Sequence, residues 1–143
     1  MTELTLAKAQ TIISAALAHA REKSFAPMAV VVLDARGVLK AYAAEDGTAL
    51  RRADIAIGKA HGALSMGVGS RTLGLRAAER PHFIAAVTHV VGGSLVPVPG
   101  GVLIRGADKT IIGAVGVTGD TSDNDEACGL AGIAAAGLVA DPS

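Results

Sequence analysis

Met28-Ala-Val-Val-Val-Leu-Asp34-Ala-Arg-Gly37 decides the fold. A short run of β-branched residues closed by Asp34-Ala35-Arg36-Gly37 describes a buried strand that enters a turn. Val38 to Glu45 then reads as its antiparallel partner, and Glu45-Asp46-Gly47 closes the pair. Upstream, Ala26-Pro27 ends a helix expected from Leu6 to Lys23. Its Leu6, Ala9, Ile13, Ala16, Leu17 and Ala20 recur at spacings of three and four, with Thr5 as N-cap. Downstream, helical periodicity returns from Ala49 to Met66, where Ala53, Ile57, Ala60 and Leu64 form one stripe. Ile55, Ala56, Ala63 and Met66 make the opposite side apolar or small too. A helix of that kind is covered on two sides, and the second side points to subunit packing.

Gly67 to Ala86 is broken by Gly67, Gly69 and Gly74 and reads as one or two short helices, with Arg71, Arg76 and Arg80 exposed. Leu95-Val-Pro-Val-Pro-Gly-Gly101 is a turn-rich connector, because Pro97 and Pro99 suit no central strand. Val102 to Arg105 and Thr110 to Val117 form two further strands around Gly106-Ala107-Asp108-Lys109. A last helix is expected from near Asp123 to about Val139. Strands joined by short turns pair antiparallel. The expectation is an α+β sandwich, one domain over residues 1–143, with an antiparallel sheet and helices packed largely on one side.

Composition narrows the function. The 143 residues carry 13 Lys plus Arg and 13 Asp plus Glu, so the formal charge is zero. Nucleic-acid binding and polybasic attachment to anionic membranes both need a basic excess. Half the residues are hydrophobic, yet Phe25, Tyr42 and Phe83 are the only aromatics. The core therefore rests on Val, Ile and Leu, with small residues that let backbones approach. No unbroken run of about 20 large apolar residues exists, which argues against a membrane span. The opening MTELTLAKAQ has no basic start followed by an apolar run and does not read as a secretion signal, so a cytoplasmic protein is expected. A single cysteine, Cys128, excludes an internal disulfide framework.

Two places stand out chemically. Gly119-Asp120-Thr-Ser-Asp123-Asn-Asp125-Glu126 sets four carboxylates before the final helix, more than helix capping needs. Lys59, with Ile55, Ala56, Gly62 and Ala63 at helical spacing, has no local acid to pair with. It either snorkels to solvent or faces a pocket as an anion binder. His19, His61, His82 and His89 make no metal-ligand pattern, and His61 is singled out because it lies beside Lys59 on an apolar helix.

Five stretches in order resemble the haem-binding and glycolate-utilisation-type (GlcG/HbpS-like) family, which includes the C-terminal domain of some cobalamin adenosyltransferases. They are Ala29-Val-Val-Val-Leu-Asp34-Ala-Arg-Gly37, Asp54-Ile-Ala-Ile-Gly-Lys59-Ala60, Pro99-Gly-Gly-Val-Leu-Ile104, Ile112-Gly-Ala-Val-Gly-Val-Thr-Gly119 and Asp123-Asn-Asp125-Glu126-Ala-Cys128. The resemblance implies a central antiparallel sheet of about five strands and a homo-oligomer, dimeric or octameric. It matches the family's lysine to Lys59, its Asp-Glu pair to Asp125 and Glu126, and its Gly-Gly turn to Gly100 and Gly101. It implies a protein that binds haem, a related tetrapyrrole or another small ligand, and possible haem degradation. Lys59, Gly100 and Gly101 are then cofactor-binding candidates; His61, which lies outside the shared motifs, is the candidate iron ligand for its place beside Lys59. The alternative is an isomerase, hydratase or lyase of a catabolic pathway acting on a small organic acid. There Lys59 anchors a carboxylate, and Asp125 and Glu126 act as acid and base.

Overall fold

The computed structural model describes residues 3–143. Helix α1 (Leu6–Glu22) starts at Thr5, whose hydroxyl accepts the Lys8 amide at 3.2 Å. Strands β1 (Ala29–Asp34) and β2 (Leu39–Ala44) form the expected hairpin, with Val31 opposite Tyr42. At its turn Asp34 Oδ1 accepts the amides of Arg36 (2.9 Å) and Val38 (3.1 Å). Gly37 closes the turn at φ +80°, a conformation that side-chain-bearing residues resist.

After α2 (Arg52–Met66) come two short helices, α3 (Ser70–Glu79) and α4 (Pro81–Val90), the second opening on a proline at its first turn. Strands β3 (Gly101–Arg105) and β4 (Ile111–Thr118) follow, then α5 (Ser122–Ala135) and a short β5 (Val139–Asp141). The five strands make one antiparallel sheet in the order β2-β1-β4-β3-β5. The α+β class and the five-stranded sheet are those expected.

Two details differ from the sequence reading. The last helix stops at Ala135, and Val139–Asp141 adds an edge strand to β3. The helices also divide between both faces of the sheet. Val30, Val32, Val102, Ile104, Val115 and Val117 point to α1 and α5, where Ile12, Ile13, Cys128 and Ile133 complete the larger core. Val31, Leu33, Leu103 and Ala114 point to α2 and meet Ala56, Ala60 and Ala63. That division explains the unbroken apolar run of β1: a strand covered on both faces has no side to leave polar.

The second apolar side of α2 is covered by its own chain. Leu95 and Leu73 pack over Gly62, and the Val96 amide donates to the Gly58 carbonyl at 3.1 Å. Of the residues expected on that second side, Ala56 and Ala63 instead join Ala60 against the sheet.

Candidate functional site

Lys59 lies on the sheet side of α2 and is only 2% exposed. Its Nζ donates to Asp125 Oδ2 and to the Val117 carbonyl, each at 2.9 Å. Asp125, on the first turn of α5, is equally enclosed, and its Oδ1 accepts the Asp120 amide at 2.9 Å. One ion pair thus joins helices on opposite faces of the sheet near the end of β4. Burial drives the Lys59 pKa down and the Asp125 pKa up, and each charge opposes the shift of the other.

The glycine turn packs directly on this lysine. A Cβ placed on Gly100 would lie 2.8 Å from Lys59 Nζ, and Gly100 itself sits at φ +127°. At Gly101 a Cβ would meet the Lys59 carbonyl oxygen at 2.2 Å. Ser70 locks the same turn: its hydroxyl donates to the Val98 carbonyl at 2.6 Å and accepts the Gly101 amide at 2.7 Å. Lys59, Gly100, Gly101 and Asp125 are thereby brought together.

Glu126 faces away from that pair. Its carboxylate meets Arg71 of α3, with Nε to Oε2 at 3.0 Å, and Arg71 also reaches Asp123. Both partners hold the Arg71 pKa above its usual value, the Glu126 hydrogen bond most strongly. The N-cap of α5 is Thr121, whose hydroxyl accepts the Asn124 amide at 3.2 Å. The acids of the cluster are thus spent on Lys59, Arg71 and nearby amides. Cys128, one turn further on, is buried and its thiol is pushed up to about 12 by that burial.

His61 sits apart from the lysine, on the side of α2 that meets the β1–β2 turn. Its Nδ1 is 2.8 Å from the Ser94 carbonyl oxygen, a distance that fixes Nδ1 as the protonated nitrogen. In the neutral ring Nε2 is then the nitrogen with the lone pair. It lies beside a cleft of about 140 Å³ lined by Ala35, Arg36, Gly37, His61, Leu64 and Ser65. A Cβ on Gly37 would stand 3.5 Å from the imidazole Cδ2, an ordinary contact distance, so the β1–β2 turn lies against that edge of the ring. A second cleft of about 410 Å³ lies across the same turn, between Leu4, Arg36, Lys40, Ile111 and neighbours.

Ser70, Arg71, Ser94 and Arg36 were not singled out by the sequence as site residues. Arg36 had one usable signal, its place inside an Asp-x-x-Gly turn. For the others no local pattern announces a partner 31 to 55 residues away. Among the described residues no cluster of three or more His, Cys, Asp or Glu could hold a bare metal ion. None of the described helices is long and apolar enough to cross a membrane.

An antiparallel sheet held between two layers of helices, with a lysine–aspartate pair buried beside a glycine turn, defines a distinct class of small domain. Residues 4–134 match the profile of the haem degrading protein HbpS-like family, and the chain belongs to that family. Among solved structures it is similar to a PduOC–heme complex, at 22% identity over 96% of this chain and 98% of that one, with TM-score 0.85. A variant of Streptomyces reticuli HbpS is 27% identical over 94% and 87% of the two chains, with TM-score 0.79. Klebsiella pneumoniae protein ORFY is 23% identical over 96% and 93%, with TM-score 0.84. No curated protein sequence matches significantly.

Proposed function

We propose that this protein binds haem, with His61 Nε2 as the iron ligand. The observation that carries the reading is the Nδ1 contact to the Ser94 carbonyl, which in the neutral imidazole leaves Nε2 as the nitrogen able to ligate, on a residue that lines a cleft. Backbone anchoring of the far nitrogen is the usual way a ligating imidazole is oriented and its basicity raised. Family membership and the haem-bound PduOC relative support the same ligand. When bound, haem supplies a redox-active iron; the chain's own part is to hold the imidazole, fix its tautomer and shield one edge of the site.

The donor set fits haem, and the cleft size adds a condition. Ligand pockets commonly enclose ~300–1,000 Å³, so the 140 Å³ beside His61 covers only part of a macrocycle. We therefore include self-association in the reading, as a dimer or octamer, and a cytoplasmic location. Lys59, Gly100, Gly101 and Asp125 serve this site indirectly, by fixing α2 and hence the place of His61. The acid–base alternative needs Lys59, Asp125 and Glu126 facing a substrate, and ion pairs to Asp125 and Arg71 leave that reading without support.

Titration with hemin tests the proposal. A Soret band that shifts and saturates at stoichiometric protein is expected, and His61→Ala should abolish the shift or move it. Unchanged hemin spectra with the wild-type protein overturn the reading.

A further inference from the structure

We infer that the outer edge of β2 pairs with the β2 edge of a second copy of this chain, antiparallel across a two-fold axis at Ala43. The inference rests on the self-association included in the reading above and names the surface that carries it.

β2 ends the sheet on its side, and among the described residues no strand lies beyond it. Along an antiparallel strand the hydrogen-bonding groups alternate in direction. The Glu45 amide donates inward to the Met28 carbonyl at 2.8 Å, so Ala43 also turns its groups toward β1, while Tyr42 and Ala44 turn theirs outward. No backbone group of the described residues takes those outward donors and acceptors. The opposite edge is closed. There β5 has three residues, Pro142 follows it, and the Gly69 amide donates to the Ser143 carbonyl at 2.7 Å. Short strands and prolines keep an edge from pairing; β2 has six residues and no proline.

The strand is complementary to itself, as a two-fold interface requires. With Ala43 on the axis, Tyr42 faces Ala44 of the other copy, and their outward groups exchange about four main-chain hydrogen bonds. The two Ala43 residues then form a non-hydrogen-bonded pair, with Cα atoms about 4.5 Å apart, a spacing that suits methyl side chains. The same register sets Lys40 opposite Asp46 of the other copy, twice by symmetry. Neither residue has an ion-pair partner among the described residues, and opposite charges across a strand pair are favourable. An axis at Tyr42 would instead set Ala44 against Lys40, where a bulge interrupts the ladder, and would leave Asp46 without a cation. Half-exposed Leu39, Tyr42 and, from α1, Leu6 flank the edge, so pairing also takes apolar surface from water. Charge and register together favour a second copy over a foreign strand.

The test combines cross-linking with sedimentation on the full chain. Ala43→Cys under mild oxidation is expected to give a covalent dimer on a non-reducing gel, because a residue on the axis meets itself within disulfide reach. Leu75→Cys on α3 should give none, and buried Cys128 supplies no competing thiol. Ala44→Pro removes an outward donor that β1 does not use and should yield a lighter particle. Lys40→Glu should weaken pairing roughly three- to tenfold, and adding Asp46→Lys should restore it, a rescue that loss of folding cannot imitate. If the wild type is heavier than one chain, yet Ala43→Cys forms no covalent dimer and the charge exchange rescues nothing, the edge inference fails and self-association stands. If the wild type is a monomer, both fail, the edge is left to a strand of another protein, and the hemin titration still judges haem binding separately.

Discussion

Lys59 and Asp125 depend on each other. Two charges at 2% exposure are tolerated because each supplies what the other lost from water, and one backbone group adds a further hydrogen bond to each. Removing one partner strands the other, a change that typically costs ~3–5 kcal/mol. Lys59→Met should therefore destabilise the protein by about that amount in urea unfolding. The double variant Lys59→Met, Asp125→Leu should recover much of the loss, since replacing a whole buried pair with apolar groups is often near neutral. The sequence marked both residues as unusual and gave no sign that they meet: they are 66 positions apart, on different helices. Helical spacing reports only neighbours three and four residues away, which is why Lys59 looked partnerless.

At the scale of elements, close approach of α2 to the sheet does most to fix the architecture. Gly116 of β4 faces the Ala56 carbonyl, and a Cβ there would come within 2.0 Å of that oxygen. Gly116→Ala must lift α2 or bend β4, and overpacking of this kind costs ~1–3 kcal/mol. Chemical denaturation should return a loss in that range; an unchanged midpoint would show that the helix has room to move. A second prediction concerns the acidic loop before α5. Hydrogen bonds from the Ala26 amide, the Asn124 side chain and the Thr121 amide hold the Asp120 carboxyl below its usual value. A carboxyl with a lowered folded pKa adds stability above its unfolded pKa of about 3.9 and loses it as pH falls through the folded value. Urea midpoints should thus drop as pH falls from about 4, and the drop should be shallower in Asp120→Asn. The sequence placed the strands of this sheet well where turns bracketed them. It ran α5 on to Val139 past a stop it could have read, Gly137 at φ +72° just beyond the helix, whereas the pairing of Val139 with Arg105 is a long-range contact.

For the whole molecule, self-association is the part of the proposal that a single chain leaves to experiment. Leu50 is 90% exposed, Val90 83% and Leu75 63%, and single residues of this kind are ordinary on a monomer. Sedimentation velocity on the purified protein should give a particle heavier than the 14.2 kDa chain; a monomer at micromolar concentration would remove self-association from the functional reading.

The fold class was legible because it depends on local signals: a β-branched run, an Asp-x-x-Gly turn, helical stripes and short connections that force antiparallel pairing. Which face each helix covers was not, because an all-apolar strand such as β1 is compatible with helices on either side. Only packing resolves that choice, by placing Val30 and Val32 against α1 and α5 and Val31 and Leu33 against α2. The same holds for the site. Residue types named Lys59, His61, Asp125 and Glu126 as groups worth watching. Tertiary contacts then enclosed the lysine with one acid, gave the other to Arg71, and turned His61 toward a different cleft, since a side chain's partners are set by distance in space rather than along the chain.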